Sequence, residues 1–229
     1  MTRAEQILNF YSNLNIDVSM LPPKVDVLNP YQNPSPEMEQ VLHEFYHKYY
    51  GDNKSRGLIL GINPGRFGAG ITGIPFTDSY RLKEFCNINF PTDTRETSAV
   101  FVYDVIKAFG GAKAFYDNWF IGATSPLGFI HQNAKGNWVN YNYYDDPALE
   151  KAVRPFIISN LREQLEICGN PRTCVVLGTG KNYKYLQQLN KDIQLFDEIT
   201  PLEHPRYIMQ YKLKRKDDYI SKFLEAFKQ

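Results

Sequence analysis

The stretch Gly61-Ile62-Asn63-Pro64-Gly65-Arg66-Phe67-Gly68-Ala69-Gly70-Ile71-Thr72-Gly73-Ile74-Pro75-Phe76 holds the residues of this chain best suited to chemistry. Asn63 stands just beyond a short apolar run, and its amide can both accept from and donate to a bound water. The Gly- and Pro-rich turn around it gives a stiff backbone that can approach a ligand closely. Phe76, fixed by Pro75, offers an aromatic face. Far downstream, His204-Pro205-Arg206 follows another apolar run. Residues 205–216 then carry five basic side chains and no acid, with Tyr207, Ile208 and Met209 interleaved.

Two other motifs invite chemistry and fail on detail. His43-Glu44-Phe45-Tyr46-His47 matches the zinc-hydrolase pattern H-E-x-x-H, which needs a third ligand and a glutamate acting as base. The apolar stripe of this segment is Met38, Val41, Leu42, Phe45 and Tyr49, so the histidines fall on the opposite, polar face with Gln40, Glu44 and Lys48. Gly178-Thr179-Gly180-Lys181-Asn182 follows a strand and hints at a phosphate loop. However, its glycine spacing is wrong, and Asn182 stands where a P-loop needs Ser or Thr for magnesium. It reads as a strand-to-helix turn using glycine for positive φ.

The elements that must position these residues alternate between strands and helices. Gly57–Ile62, Trp119–Ala123, Cys174–Leu177 and Ile199–Leu202 are short apolar runs with strand character, and Trp138–Tyr144 is a further candidate. Helical spacing marks the N-terminal segment with Ile7, Leu8, Phe10, Tyr11 and Leu14 inward, then 36–50, 100–109, 147–168, 182–189 and 217–227. Residues 22–36, with five prolines, read as an extended loop. This order predicts an α/β fold, a three-layer α/β/α sandwich around a mainly parallel sheet. We expect one domain over 1–229, with an N-terminal helical part (1–50) and a catalytic core (57–229). Ligands of such sheets sit at the carboxyl ends of the strands, which selects the loops after Ile62, Ala123, Leu177 and Leu202.

The run from Gly61 to Phe76 resembles, without a gap, the first motif of the single-strand-selective monofunctional uracil-DNA glycosylase family, G-M-N-P-G-P-F-G-x-x-x-T-G-V-P-F-G. That family's second motif begins His-Pro after the last strand, where His204-Pro205-Arg206 stands. The resemblance implies a uracil-DNA glycosylase-like fold and a base excision repair enzyme that flips uracil or a related damaged base out of DNA and hydrolyses its N-glycosidic bond. It implies that Asn63 positions the attacking water and that His204 stabilises charge developing on the departing base. Phe76 would stack on that base, with Ile62, Gly65 and Phe67 lining its pocket. The basic run itself reads either as a wedge of Ile208 and Met209, with Tyr207, filling the gap in the duplex and flanked by phosphate contacts from Arg206, Lys212, Lys214 and Arg215, or as the solvated start of the last helix.

The chain departs from the family pattern at four places. Arg66 replaces a proline and Thr77 a glycine, which predicts a looser first loop. The second motif is two residues shorter than H-P-S-P-R, which predicts a wedge of different shape. Ala123 stands where the family reads the base edge with asparagine. The hydroxyls of Thr124 or Ser125 are candidates to replace it, as are Asn140 and Asn142. With the reader changed, uracil, oxidised pyrimidines and deaminated purines all remain substrates to test.

Composition sets the remaining bounds. Hydrophobic residues make up 43% and charged residues 22%, the balance of a folded globular chain. Net charge is +1, so a DNA-binding surface has to be local, as the 205–216 run is. Three scattered cysteines suit a reducing compartment and are too few for a four-cysteine cluster. We therefore expect a cytoplasmic monomer with DNA as its partner, no membrane association, no metal and no cofactor. Two other readings are a catalytically inactive DNA-damage or single-strand binding module, and a zinc hydrolase built on His43 and His47.

Overall fold

The computed structural model describes residues 1–228; Gln229, the last residue of the expected domain, lies outside them. Its centre is a four-stranded parallel sheet in the order β3-β2-β6-β7, from β2 (Gly57–Gly61), β3 (Trp119–Ala123), β6 (Thr173–Leu177) and β7 (Glu198–Leu202). Leu58, Ile59 and Leu60 of β2 are buried, as are all five residues of β3 and Cys174–Leu177 of β6. Continuous apolar runs of this kind belong to parallel strands covered on both faces. The chain leaves β2 for β3 on one side and reaches β6 on the other. The topological switch, where ligands of α/β sheets bind, therefore falls at the carboxyl end of β2.

Helix boundaries follow capping signals. α1 (Arg3–Ser12) opens with a capping box between Thr2 and Glu5. α2 (Pro36–Tyr50) starts at Ser35 with Pro36 in its first turn, and α7 (Pro147–Cys168) runs from Asp146 with Pro147 to Gly169 in the left-handed conformation. The others are α3 (Ala69–Thr72), α4 (Ser79–Cys86), α5 (Thr97–Phe109), α6 (Ala112–Asn118), α8 (Lys181–Ile193), α9 (Pro205–Tyr211) and α10 (Lys216–Ala226). α7 packs against β2, α8 against β6 and α6 against β3, while α5 packs on α9 and α10. No helix among the described residues is long and apolar enough to cross a membrane.

The proline-rich segment departs from expectation. It contains β1 (Val25–Leu28), which pairs antiparallel with β4 (Gly128–Gln132), and β4 pairs with β5 (Trp138–Tyr141). This second, three-stranded sheet is assembled from segments about a hundred residues apart, beyond the reach of local patterning. It brings β5 to the mouth of the switch point.

The HExxH histidines are both exposed on α2, with their rings 5.8 Å apart. No group of three His, Cys, Asp or Glu side chains among the described residues is placed to hold a metal ion. In the 178–182 turn Gly178 has φ +119°, as the turn reading requires.

Candidate active site

Beyond the carboxyl ends of β2 and β3 lies a cavity of about 590 Å³. Its walls come from the first motif (residues 61–65 and 67–69, Pro75, Phe76), the second motif (His204, Arg206), the start of α5 and the β5 edge. Ile62, Asn63, Gly65, Phe67, Phe76 and His204 thus share one cavity, although Phe76 and His204 are separated by more than a hundred residues.

Asn63 is held by its amide nitrogen, which donates to the main-chain carbonyls of Pro64 (3.3 Å) and Tyr141 (3.4 Å). The same contacts turn Oδ1 into a buried acceptor with no partner among the described residues. Buried polar atoms are rarely left so. An acceptor of this kind is set to take a hydrogen bond from a water.

Phe76 sits at φ +51°, in the left-handed region that side chains with a Cβ seldom enter. It occupies the third position of the turn closed by the Thr77 N–H donating to the Ile74 carbonyl, with Pro75 before it. Surrounding bonds over-determine this strained geometry. The Thr72 hydroxyl donates to the Thr77 carbonyl at 2.6 Å and accepts from the Ile74 N–H, and the Thr77 hydroxyl meets Pro75 O and Tyr103 Oη, each at 3.1 Å. A Cβ at Gly61 would come within 3.1 Å of the Phe76 ring, so the ring lies directly against the β2 backbone.

The expected loosening of this loop is therefore corrected at both positions. Thr77 is fully buried and ties the turn together rather than freeing it. Arg66 has the N–H that proline lacks, and that N–H donates to Asn140 Oδ1 at 3.3 Å while its Nε donates to the same atom at 3.2 Å.

His204 caps α9: its Nδ1 accepts the Arg206 N–H at 3.2 Å. With Nδ1 an acceptor, the neutral ring carries its proton on Nε2. One edge of the ring stays accessible, yet enclosure by the protein, aided by the Arg206 cation, lowers its pKa to about 4. The ring lies 5.9 Å from that of Phe76, tilted by 52°. A neutral donor thus faces an aromatic platform.

Thr124 and Ser125 are placed differently from expectation. Both are fully buried, and neither lines the cavity. The Thr124 hydroxyl lies within bonding distance of the Gly61 carbonyl (3.1 Å) and Asn182 Oδ1 (3.0 Å), and the Ser125 hydroxyl donates to the Leu127 carbonyl at 2.8 Å. These hydroxyls are consumed in holding the strand ends together. Asn182 gathers them: it also accepts from Tyr143 Oη at 2.7 Å and donates to the carbonyls of Gly61 and Leu177. Ala123 is clamped by Gln164, which accepts its N–H and donates to its carbonyl, each at 3.0 Å.

The two remaining candidates, Asn140 and Asn142, both line the cavity. Asn140 is engaged with Arg66. Asn142 donates its amide to Asp145 at 2.8 Å, which leaves its Oδ1 free of protein partners.

The second-motif segment is helical, and its spacing buries the wrong residue for a wedge. Ile208 is fully buried against the core and Met209 is half-buried, whereas Arg206 is exposed and Tyr207 and Tyr211 are 42% and 71% exposed. The two tyrosine rings lie 5.5 Å apart, and the Lys212 ammonium lies 5.9 Å from the Tyr207 ring. Lys214 and Arg215 are exposed on the same segment, Arg215 in a 2.9 Å ion pair with Asp218. The exposed apolar surface of this segment is therefore Tyr207, Tyr211 and Leu213.

Glu96 also lines the cavity and was not singled out by its sequence, where it precedes a helix like many surface acids. Burial raises its pKa to about 7, helped by the nearby Asp78 carboxylate and opposed by Arg206 and Ser98.

Residues 47–228 match the uracil DNA glycosylase superfamily. Among solved structures, the crystal structure of wild-type Pedobacter heparinus SMUG2 is similar, with 50% sequence identity and a TM-score of 0.95 over 100% of this chain and 97% of that one.

Proposed function

The chain belongs to the uracil DNA glycosylase superfamily, in its SMUG-like branch, and from that premise we propose that it removes uracil or a related deaminated or damaged base from DNA as a monofunctional glycosylase. It would act as a single-domain cytoplasmic monomer, with DNA as its partner and neither metal nor cofactor. The observation that carries this reading is the buried, unpartnered Oδ1 of Asn63, in the cavity that also holds the neutral His204 and the Phe76 ring.

A base inside the duplex shields its glycosidic bond, so the nucleotide has to be flipped into this cavity first. Phe76 then stacks on the base. The C1′–N bond breaks with its electron pair leaving on the base, which becomes anionic while the sugar acquires oxocarbenium character. The Nε2–H of His204 donates to a base carbonyl oxygen as that charge grows. Such a preorganised donor contributes on the order of 10²- to 10³-fold in rate. Its low pKa suits this role: a neutral donor stabilises the anion at all pH values where DNA repair operates. Asn63 Oδ1 accepts from the incoming water and aligns its oxygen on C1′. An amide is a poor base, so the water gives up its proton only after the new C–O bond has largely formed, and that proton balances the charge of the departed base anion, directly or through solvent.

The exposed Arg206 and Tyr207, with Tyr211, take the place of the expected Ile208 wedge at the duplex. Lys212, Lys214 and Arg215 lie beside them for phosphate contact. Asn142, with Oδ1 unengaged, is the best placed replacement for the missing base-edge reader. A panel of oligonucleotides carrying single uracil, hydroxymethyluracil, hypoxanthine or xanthine residues tests the proposal and assigns the lesion. Alkali-dependent strand breakage at a lesion supports it, and intact strands throughout refute it.

A further inference from the structure

Glu96 is the one cavity residue without a part in the mechanism above despite an unusual environment. It precedes α5, and its own N–H donates to Asp78 Oδ2 at 2.7 Å. Its Oε2 is sealed from bulk solvent and has no hydrogen-bond partner. A Cβ at Gly68 would collide with this carboxyl group, so the first motif leaves its side chain out where Glu96 lies. The charged groups facing it are Asp78, already paired with Arg81 at 3.2 Å, and Arg206 from α9. Arg95 lines the same cavity but has its guanidinium over the Tyr80 ring, and His204 there is uncharged.

An ionised carboxylate in this position would be enclosed and next to a second carboxylate, opposed only by Arg206 and a hydrogen bond from Ser98, whereas a protonated one carries an O–H that needs an acceptor. Oε2 finds none among the described residues. Every deaminated base supplies one, because deamination replaces an amino group with a carbonyl oxygen.

Resting on the glycosylase reading, we infer that Glu96 binds the flipped base directly, its protonated carboxyl donating a hydrogen bond to a base carbonyl oxygen. The raised pKa agrees with this assignment, since it keeps the proton on Glu96 up to about neutrality. Above that, the ionised form loses the donor and turns an acceptor toward the base carbonyl. Glu96 is thus a determinant of binding rather than of water activation, and its loss should appear in substrate affinity.

The test is single-turnover base release by wild type, Glu96→Gln and Glu96→Ala from about pH 5.5 to about pH 8.5, with thermal melts of each protein. Wild type should show its rate at subsaturating enzyme falling above about pH 7, by up to about tenfold per pH unit. Glu96→Ala should lose about tenfold to 100-fold at the acid end, chiefly in half-saturating concentration. Glu96→Gln keeps a donor and cannot ionise, so it should recover much of that loss and show no alkaline decline. A decline persisting unchanged in Glu96→Gln, or an Ala variant matching wild type, overturns the inference while the glycosylase reading stands. Absence of base release by wild type overturns that reading, and this inference with it.

Discussion

The Asn63 amide nitrogen donates to the Tyr141 carbonyl at 3.4 Å, across the junction between the parallel core and the small antiparallel sheet. That bond fixes which end of the amide faces the cavity. It also means that β5, a strand outside both motifs, orients the residue to which we assign the attacking water. Asn63→Asp should therefore not act as an improved base: it would set a carboxylate oxygen against the Pro64 and Tyr141 carbonyls. Base release by Asn63→Asp below the wild-type rate at neutral pH checks this point.

His204 should leave a trace in the pH dependence of stability. Its pKa is lowered in the folded protein from 6.5 to about 4, so between these values the unfolded chain binds more protons. The stabilisation is full above about pH 6.5 and is lost as pH falls toward about 4, by roughly 3 kcal/mol at most. Urea unfolding of wild type and His204→Gln across this range measures it. The difference between the two proteins should narrow or reverse toward acid, and a constant difference would contradict the enclosed, neutral ring.

Tyr207 and Ile208 should separate cleanly. Tyr207→Ala is expected to lower activity on duplex substrate several-fold more than on single strands, with little effect on stability. Ile208→Ala should instead cost about 2–5 kcal/mol of stability, as for a buried aliphatic side chain, and reduce both activities alike where the protein stays folded.

Asn182 should prove a keystone of the strand ends rather than a ligand group. Asn182→Ala would leave the Tyr143 hydroxyl without its acceptor and take one bond each from the Thr124 hydroxyl and the Gly61 and Leu177 carbonyls. An unsatisfied buried group costs about 1–3 kcal/mol, so a drop in melting temperature of about five degrees or more is expected. A neutral substitution would show that water replaces the amide.

Much of the core was legible because its signals are local. α2 and α7 are bounded in sequence by Ser35-Pro36 and by Asp146-Pro147 with Gly169, and the helices begin and end there. Of the four parallel strands, β2, β3 and β6 are largely buried apolar runs, while β7 carries Glu198 and Thr200 and buries only Leu202. The small sheet was hidden because β1 is a short, half-polar run among prolines whose partner lies about a hundred residues away.

In the site, Asn63, Phe76 and His204 were marked by motif and strand end. The roles of Tyr141 and Asn140 depend on that hidden sheet, and the bonds of the Thr124 and Ser125 hydroxyls to Gly61, Asn182 and Leu127 cannot be read from position in the chain. Ile208 was misread for want of the α9 helical period, which turns it inward three residues after Pro205. Nothing local distinguishes Glu96 from an ordinary acid at a helix start.

The most direct test of the account is base release by wild type and Asn63→Ala, with EDTA present, on the lesion the wild type prefers. The account predicts alkali-dependent cleavage at the lesion by wild type, reduced on the order of 10²-fold or more in Asn63→Ala, with both proteins equally folded and still binding the oligonucleotide. Wild-type rates retained by Asn63→Ala, or binding without any release by either protein, would contradict it.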